Sequence, residues 1–312
     1  MKRVLLIGSG EVGTKHAKAL MRADGLELVA VADPAPAVAP PAGVPLLEGW
    51  GGALSRFGPD LVVVATPPGT ALNAARTAAR GGATVLVEKP VTLDPAHLTP
   101  VAEDARIFVA FQPHFAPGIA ELLRQRPTVR RAEVTLVCRR DRAYYRGWRT
   151  RYATAGGILH QQAIHGLALA LRLLPATAIA SCTTTVDRVR RWAESEDRIT
   201  TMTTFADDTV LTVDAQVDSD EERRHEVTLH LDDGQRLHIR GRNLEAGLGD
   251  PSSAPGDLEL RQAMYRALPS DGTSPAHHHS SLFPLSELRR TLEVIDRVYR
   301  TTRTVSEAGT AA

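Results

Sequence analysis

Lys89 is the only lysine beyond residue 18 of this 312-residue chain; the others are Lys2, Lys15 and Lys18, and every remaining cation is arginine. It closes the run Val85-Leu86-Val87-Glu88-Lys89-Pro90, whose apolar half reads as a strand. An ammonium at such a strand end can donate to a substrate hydroxyl or carbonyl and stabilise an alkoxide as hydride leaves. The alternative use is an ion pair with Glu88. A second chemical signal is Gly8-Ser9-Gly10-Glu11-Val12-Gly13, set between an apolar run and a helical pattern. In that setting Gly8 permits a tight turn, Gly10 lets a pyrophosphate approach the backbone, and Gly13 lets helix and strand pack closely. The helix start at Glu11 and Val12 then faces the phosphates.

Asp33 follows Gly13 by twenty residues, at the end of the second apolar run. A carboxylate there accepts hydrogen bonds from ribose hydroxyls and repels a 2′-phosphate. Pro34-Ala35-Pro36 supplies no arginine to hold such a phosphate. NAD is therefore favoured over NADP. The alternative is a glycine-rich turn and a solvated Asp, but strand, helix and acid agree on the dinucleotide.

These residues need a scaffold, and the first hundred positions describe one. Continuous apolar runs at 3–8, 26–33, 59–68, 83–90 and 106–113 alternate with helical patterns at 13–24 and 70–82. That alternation predicts a doubly wound parallel sheet, a Rossmann fold of the α/β class, with its ligand crevice at the strands' carboxyl ends. After about residue 117 the pattern changes. A helix at 118–126 and a long helix at 156–174 accompany strand-like runs at 131–140, 177–186, 197–205, 209–217, 225–231 and 235–240. Short turns at Ala206-Asp207-Asp208 and Asp232-Asp233-Gly234 predict a mostly antiparallel open sheet in an α+β domain. Further helices are expected at 258–268 and 286–302. The division is residues 1–117 for the dinucleotide and 118–312 for substrate and oligomer contacts.

Composition excludes several classes. A net charge of +1, with no basic excess, argues against nucleic acid. No stretch approaches the roughly 18 apolar residues of a membrane span. Cys138 and Cys182 form no disulfide framework, which points to a cytoplasmic protein. His277-His278-His279 lies in a Ser/Pro-rich loop without nearby paired carboxylates, so no metal is expected there.

The GSGEVG loop, the Ala65-Thr66-Pro67-Pro68-Gly69-Thr70 segment and the Glu88-Lys89-Pro90 motif together resemble the Gfo/Idh/MocA family of sugar, cyclitol and sugar-nucleotide oxidoreductases. The resemblance implies that Ala65, Thr66, Pro67, Pro68, Glu88, Lys89 and Gln112 line the cofactor side. It places His165 on the family's acid/base histidine, in a helix that opens with Gly156-Gly157, and Gln161 on a family Asp or Asn. Residues 161 and 165 are four apart and share a helix face. The same resemblance gives His114, Tyr145, Trp148, Arg149 and Gln162 as substrate-binding candidates with Lys89, Gln161 and His165. His160 reads as structural. Gln161 and Ala168 depart from the family, where carboxylates are usual, and a neutral amide cannot raise the pKa of His165. The expected function is NAD-dependent hydride transfer between nicotinamide and a secondary alcohol or ketone of a sugar, cyclitol or sugar nucleotide. A biosynthetic keto- or imine reductase and a non-enzymatic dinucleotide sensor are the alternatives. Small-molecule substrate, no nucleic acid, no membrane and a homo-oligomer, dimer or tetramer, complete the expectation.

Overall fold

Residues 1–190, 192–245, 255–269 and 279–309 are described by a computed structural model, with side chains as far as residue 302. The first sheet is built from β1 (Lys2–Ile7), β2 (Leu26–Ala32), β3 (Leu46–Leu47), β4 (Leu61–Val64), β5 (Thr84–Val87) and β6 (Ile107–Val109). Between them run α1 (Glu11–Leu20), α2 (Trp50–Phe57) and α3 (Pro68–Arg80). All six strands are parallel, in the order β3-β2-β1-β4-β5-β6. Strand order reverses between β1 and β4, which makes this the switch point of a Rossmann sheet. β4 and β5 are buried at every position, as strands covered on both faces must be. Ile7 pairs with Val64, and Val64 with Val87. The turns that begin at Gly8, Ala65 and Glu88 therefore leave the sheet at one common edge.

The chain continues through α4 (Pro117–Gln125), β7 (Val129–Val137), α5 (Tyr152–Ala155), one π-helical turn (Leu159–Ala163) and α6 (Ile164–Leu173). Strands β8 (Ile179–Asp187), β9 (Arg198–Phe205), β10 (Val210–Gln216), β11 (Arg224–Leu231), β12 (Arg236–Arg240) and β13 (Asn243–Leu244) follow, then α7 (Asp257–Ala267) and α8 (Leu285–Gly309). The second sheet has the order β13-β12-β11-β7-β10-β9-β8. Only the β7–β10 pair is parallel, and the others are antiparallel. Alternation is strict where one face is covered: Ile199, Thr201, Thr203 and Phe205 of β9 are buried, while Arg198, Thr200 and Met202 are exposed. The hairpins turn at Asp208 (φ 64°) and Gly234 (φ 84°). α6 lies so close to this sheet that a Cβ on Gly166 would stand 2.7 Å from Val134 Cγ1.

Two compact units result. One holds residues 1–92, 98–115 and 255–286; the other holds 93–97, 116–254 and 287–312. Pro255–Ser286 lies beyond the expected division after residue 117, yet it belongs to the unit of the first sheet. The physical reason is apolar: Met264, Tyr265 and Leu268, with Leu282, pack with Leu6, Leu20, Val63 and Phe108 in one core.

Candidate functional site

The first glycine turn is shaped by contacts that no side chain could share. Gly8 has φ +95°, and a Cβ there would stand 2.5 Å from the Ala65 carbonyl oxygen. At Gly13 a Cβ would stand 2.0 Å from the Gly8 carbonyl oxygen, so the helix start is pressed onto the turn. Gly10 differs, because nothing lies within 4 Å of its Cβ position. The loop is thus closed against its own scaffold and open at the position where a pyrophosphate must approach. Glu11 and Val12 begin α1, and Glu11 pairs with Lys15 at 2.9 Å.

Asp33 sits just past β2. Its Oδ2 accepts from the Ser9 backbone N–H at 2.6 Å and the Ser9 hydroxyl at 3.0 Å, and Oδ1 accepts from Ala35 N–H at 2.8 Å. Partial burial alone would raise this carboxyl, but the three donors outweigh it and hold Asp33 below the ordinary carboxylate value. It is a fixed anion tied to the glycine loop. Thr66, in the turn after β4, has a buried Oγ1 with no partner among the described residues. Pro67 caps α3 and Pro68 is its first residue. Open space at Gly10, the anchored Asp33 and the buried Thr66 hydroxyl fit an NAD-type dinucleotide.

Behind Lys89 stands a buried polar network. Glu88 Oε1 accepts from Gln112 Nε2 at 2.9 Å and from Arg261 Nη1 at 3.1 Å, and lies 2.9 Å from His16 Nε2. Arg261 Nη1 also stands 2.7 Å from His16 Nε2, and His16 Nδ1 lies 2.6 Å from the Tyr265 hydroxyl. A guanidinium can only donate and a carboxylate can only accept, so Nε2 serves Arg261 as acceptor in one tautomer and Glu88 as donor in the other. Burial drives the His16 imidazole below its ordinary 6.5 despite the pull of Glu88. Burial would also raise Glu88, but His16, Arg261 and Lys89 outweigh it and hold the carboxyl well below the usual range. Tyr265 is pushed up by burial and stays a phenol. Glu88 is therefore a permanent anion whose oxygen is fully engaged, and the Lys89–Pro90 peptide beside it is cis. Glu88 Oε1 takes hydrogen bonds from Gln112 and Arg261, and the Lys89 charge adds to theirs in lowering the carboxyl.

In the other unit, the helix with Gln161 and His165 starts over a second buried cluster. Glu196 Oε1 accepts from Ile158 N–H at 2.8 Å and from the Tyr299 hydroxyl, which in turn accepts from Leu159 N–H at 3.2 Å. The carboxylate takes the place of an N-cap at the helix's positive end. A Cβ on Gly157 would stand 2.2 Å from the Tyr299 hydroxyl, which is why glycine occupies that position. Burial raises both Glu196 and Tyr299. His160 stacks on Tyr299 with centroids 5.5 Å apart and planes at 8°. Gln161 is buried, and its Nε2 donates to the Gly156 carbonyl at 2.9 Å. It lies in the π-helical turn Leu159–Ala163, a device frequent at functional sites. His165 is half-buried and meets His225 edge-on, centroids 6.1 Å apart.

The remaining candidates divide sharply. Gln112 spends an amide hydrogen on Glu88. His114 is 1% exposed, stacked on Phe111 at 5.3 Å and close to Phe283. Tyr145 is buried edge-on to Trp192, with its hydroxyl 3.2 Å from Arg190 Nη2. Trp148 and Arg149 are half-buried, with the Arg149 guanidinium 4.5 Å from the Trp148 ring centre. Gln162 Oε1 accepts from Arg140 at 2.7 Å, and its amide donates to the Tyr144 hydroxyl. Sequence reasoning passed over His16, Arg261, Tyr265, Glu196, Tyr299, Arg140 and His225. His16 had a findable signal: with Gly13, Ala17 and Leu20 it forms a 3–4 stripe on the buried face of α1. The other six carry no local signature.

Among the described residues no three His, Cys, Asp or Glu side chains gather into a metal site, and no helix is long and apolar enough to cross a membrane. His277 and His278 lie outside the described residues, and His279 stacks on Phe115 at 5.6 Å.

Residues 2–107 match the oxidoreductase family's NAD-binding Rossmann fold, and residues 128–241 match the Gfo/Idh/MocA C-terminal domain. The chain belongs to the Gfo/Idh/MocA oxidoreductase family, with an NAD-binding first domain. A curated relative, inositol 2-dehydrogenase of Rhizobium meliloti (strain 1021), is 29% identical over 202 residues. That match spans 59% of this chain and 59% of the relative. Among solved structures, GenD2 from gentamicin A biosynthesis, in complex with NAD, superposes with a TM-score of 0.73 at 23% identity, covering 96% of this chain and 93% of that one. The WlbA dehydrogenase from Bordetella pertussis, in complex with NADH and UDP-GlcNAcA, gives 0.74 at 19% identity, with 97% of each chain covered. At these identities the two structures establish a shared fold.

Proposed function

We propose that this protein catalyses reversible NAD-dependent oxidation of a secondary alcohol on a sugar, cyclitol or sugar nucleotide. The observation that carries the reading is the position of Lys89. It leaves the same edge of the same parallel sheet as the glycine turn shaped for a dinucleotide. Lys89 polarises a substrate oxygen there. His165 takes the alcohol proton as a neutral imidazole, and Gln161, held on its face of the helix, positions a neighbouring hydroxyl. Bound NAD supplies the acceptor for the hydride. Gly8, Gly10 and Gly13 hold its pyrophosphate, Asp33 its ribose, and the Thr66-Pro67-Pro68 turn its nicotinamide side.

The relatives support the substrate class: one is an inositol 2-dehydrogenase, and another is a dehydrogenase in complex with NADH and UDP-GlcNAcA. One feature favours the reductive direction. Positions 161 and 168 hold Gln and Ala, so the helix face of His165 brings it no carboxylate. In that direction the histidine starts protonated, and the missing carboxylates cost less. We also infer a homo-oligomer built on the exposed face of the second sheet, where Met202 is 47% exposed among threonines. The enzymatic reading is tested by following nicotinamide reduction with a panel of polyols, sugars and sugar nucleotides, and nicotinamide oxidation with the matching ketones. Turnover of one class is expected. Tight dinucleotide binding without turnover of any would favour a sensor.

A further inference from the structure

The segment between β7 and α5 holds six arginines: Arg139, Arg140, Arg142, Arg146, Arg149 and Arg151. Several arginines of this unit are matched by acids: Arg190 lies against Asp197, Arg198 is 3.0 Å from Asp218, and Arg139 lies against Asp220. Arg140 and Arg149 are treated differently. Their guanidinium carbons stand 4.7 Å and 4.9 Å from the centre of one ring, Tyr144. Among the described residues neither has a carboxylate oxygen within 4.0 Å. The nearest acid in sequence, Asp141, is turned to the Tyr144 backbone N–H at 2.9 Å.

What holds the two forks is neutral. Gln162 Oε1 accepts from Arg140 Nη2 at 2.7 Å and Nε at 3.2 Å, and Gln162 Nε2 donates to the Tyr144 hydroxyl. The Tyr144 ring attracts both cations through its face. Guanidinium stays charged in any protein, so two of them over one ring repel each other with no internal compensation. Neutral anchors fix their direction without using their charge, which is pre-organisation for an anion with several oxygens. Gln162 and His165 are i and i+3 on the same helix, so the cations border the face that carries His165.

We propose that Arg140 and Arg149, with Tyr144 and Gln162 as their mount, form an anion subsite for a phosphate or diphosphate group on the substrate. This rests on the reading of the Gln161–His165 face as the substrate side, and it narrows the substrate class to phosphorylated or nucleotide-linked sugars. Recognition of the charged group then falls to this unit and sets binding, while the hydride chemistry is set elsewhere.

The test uses the full chain saturated with NADH, so that the glycine loop is filled. NADH affinity is measured first. A chain that does not bind NADH fails the oxidoreductase reading, while the arginine variants still report on the subsite by difference. Calorimetric titrations then compare inorganic pyrophosphate, glucose 1-phosphate and glucose. The unmodified chain is expected to bind one equivalent of pyrophosphate, and to bind glucose 1-phosphate at least tenfold more tightly than glucose. Arg140→Gln and Arg149→Gln should each weaken both anions by tenfold or more and leave NADH affinity unchanged. Tyr144→Phe keeps the ring under both cations and should retain pyrophosphate binding within about threefold. Equal pyrophosphate affinity in the unmodified chain and the double arginine variant would overturn the subsite, as would no binding at all. Pyrophosphate binding without any gain for glucose 1-phosphate over glucose would overturn its role in substrate recognition.

Discussion

Arg261 Nη1 stands 3.1 Å from Glu88 Oε1 across 173 positions of sequence, and both side chains are buried. The contact ties α7 to the turn that presents Lys89, beside the apolar core that packs this segment on the first sheet. Removing one member of a buried pair leaves the other uncompensated, at a cost of about 3–5 kcal/mol.

Arg261→Met is therefore expected to lower the free energy of unfolding by about 3 kcal/mol, with Glu88→Gln alone somewhat less severe. The double variant should lose less than the two singles added, because no lone charge remains. Urea denaturation of the four proteins reads this directly. Strict additivity would mean that the two groups are not coupled.

This network also marks the limit of what the sequence conveyed. The parallel sheet was legible because Val62-Val63-Val64 and Val85-Leu86-Val87 are continuous apolar runs, which only strands covered on both faces require. Glycine spacing, Asp33 and the Glu88-Lys89-Pro90 motif were legible because each serves a local turn or strand end. α2 was not foreseen: its sequence Trp-Gly-Gly-Ala-Leu-Ser-Arg-Phe places two glycines in the first turn, and packing against β1 and β2 overrides that propensity. Arg261 and Tyr265 could not be found by pattern, since their partners His16 and Glu88 are set by tertiary contact alone. Tyr145 illustrates the converse. The family resemblance named it as a substrate-binding candidate; its ring is buried against Trp192, and its neighbour Tyr144 carries the paired cations.

Acid should loosen the second unit through His160. Burial takes this imidazole from the ordinary 6.5 to about 4, with the Leu93 backbone pulling weakly the other way. The unfolded chain thus takes up a proton that the folded chain refuses. Stability from the neutral ring is complete above pH 6.5 and is lost as pH falls towards 4, by up to about 3 kcal/mol. Glu196, raised by burial, works in the opposite sense, and its proton uptake on acidification favours the fold. His160→Phe keeps the stack on Tyr299 and removes the imidazole. Its urea midpoint should decline less between about pH 7 and pH 5 than that of the unmodified chain, in which His16 and Glu196 are unchanged. Parallel declines would show that His160 is not the acid-sensitive group.

Cofactor choice turns on Asp33. Its carboxylate is ionised and tied to Ser9, so a 2′-phosphate would meet a fixed negative charge. NADH is expected to bind at least tenfold more tightly than NADPH, and Asp33→Ala should narrow that difference chiefly by weakening NADH. Calorimetry with both dinucleotides decides the matter. NADPH binding as tightly as NADH to the unmodified chain contradicts the assignment.

Assembly is the fourth expectation. The exposed threonine-rich face of β8 and β9, with Met202 at its centre, should be covered by a second copy. Met202→Lys is expected to lower the mass seen by light scattering from oligomer to monomer while NADH affinity holds. A monomer at micromolar concentration before any substitution refutes the inference.

Hydride transfer that depends on Lys89 and His165 can be followed by isotope transfer. Candidate alcohols deuterated at the carbinol carbon are incubated with NAD and the full chain, and the recovered nicotinamide is examined by mass spectrometry for deuterium at C4. Label is expected from one class of cyclic polyol or sugar derivative. Lys89→Ala and His165→Ala should each slow transfer by roughly 10²-fold or more, with NAD affinity little changed, since the pyrophosphate and ribose contacts lie in the glycine loop and at Asp33. Reduced nicotinamide without deuterium, or undiminished transfer in the double variant, would contradict it.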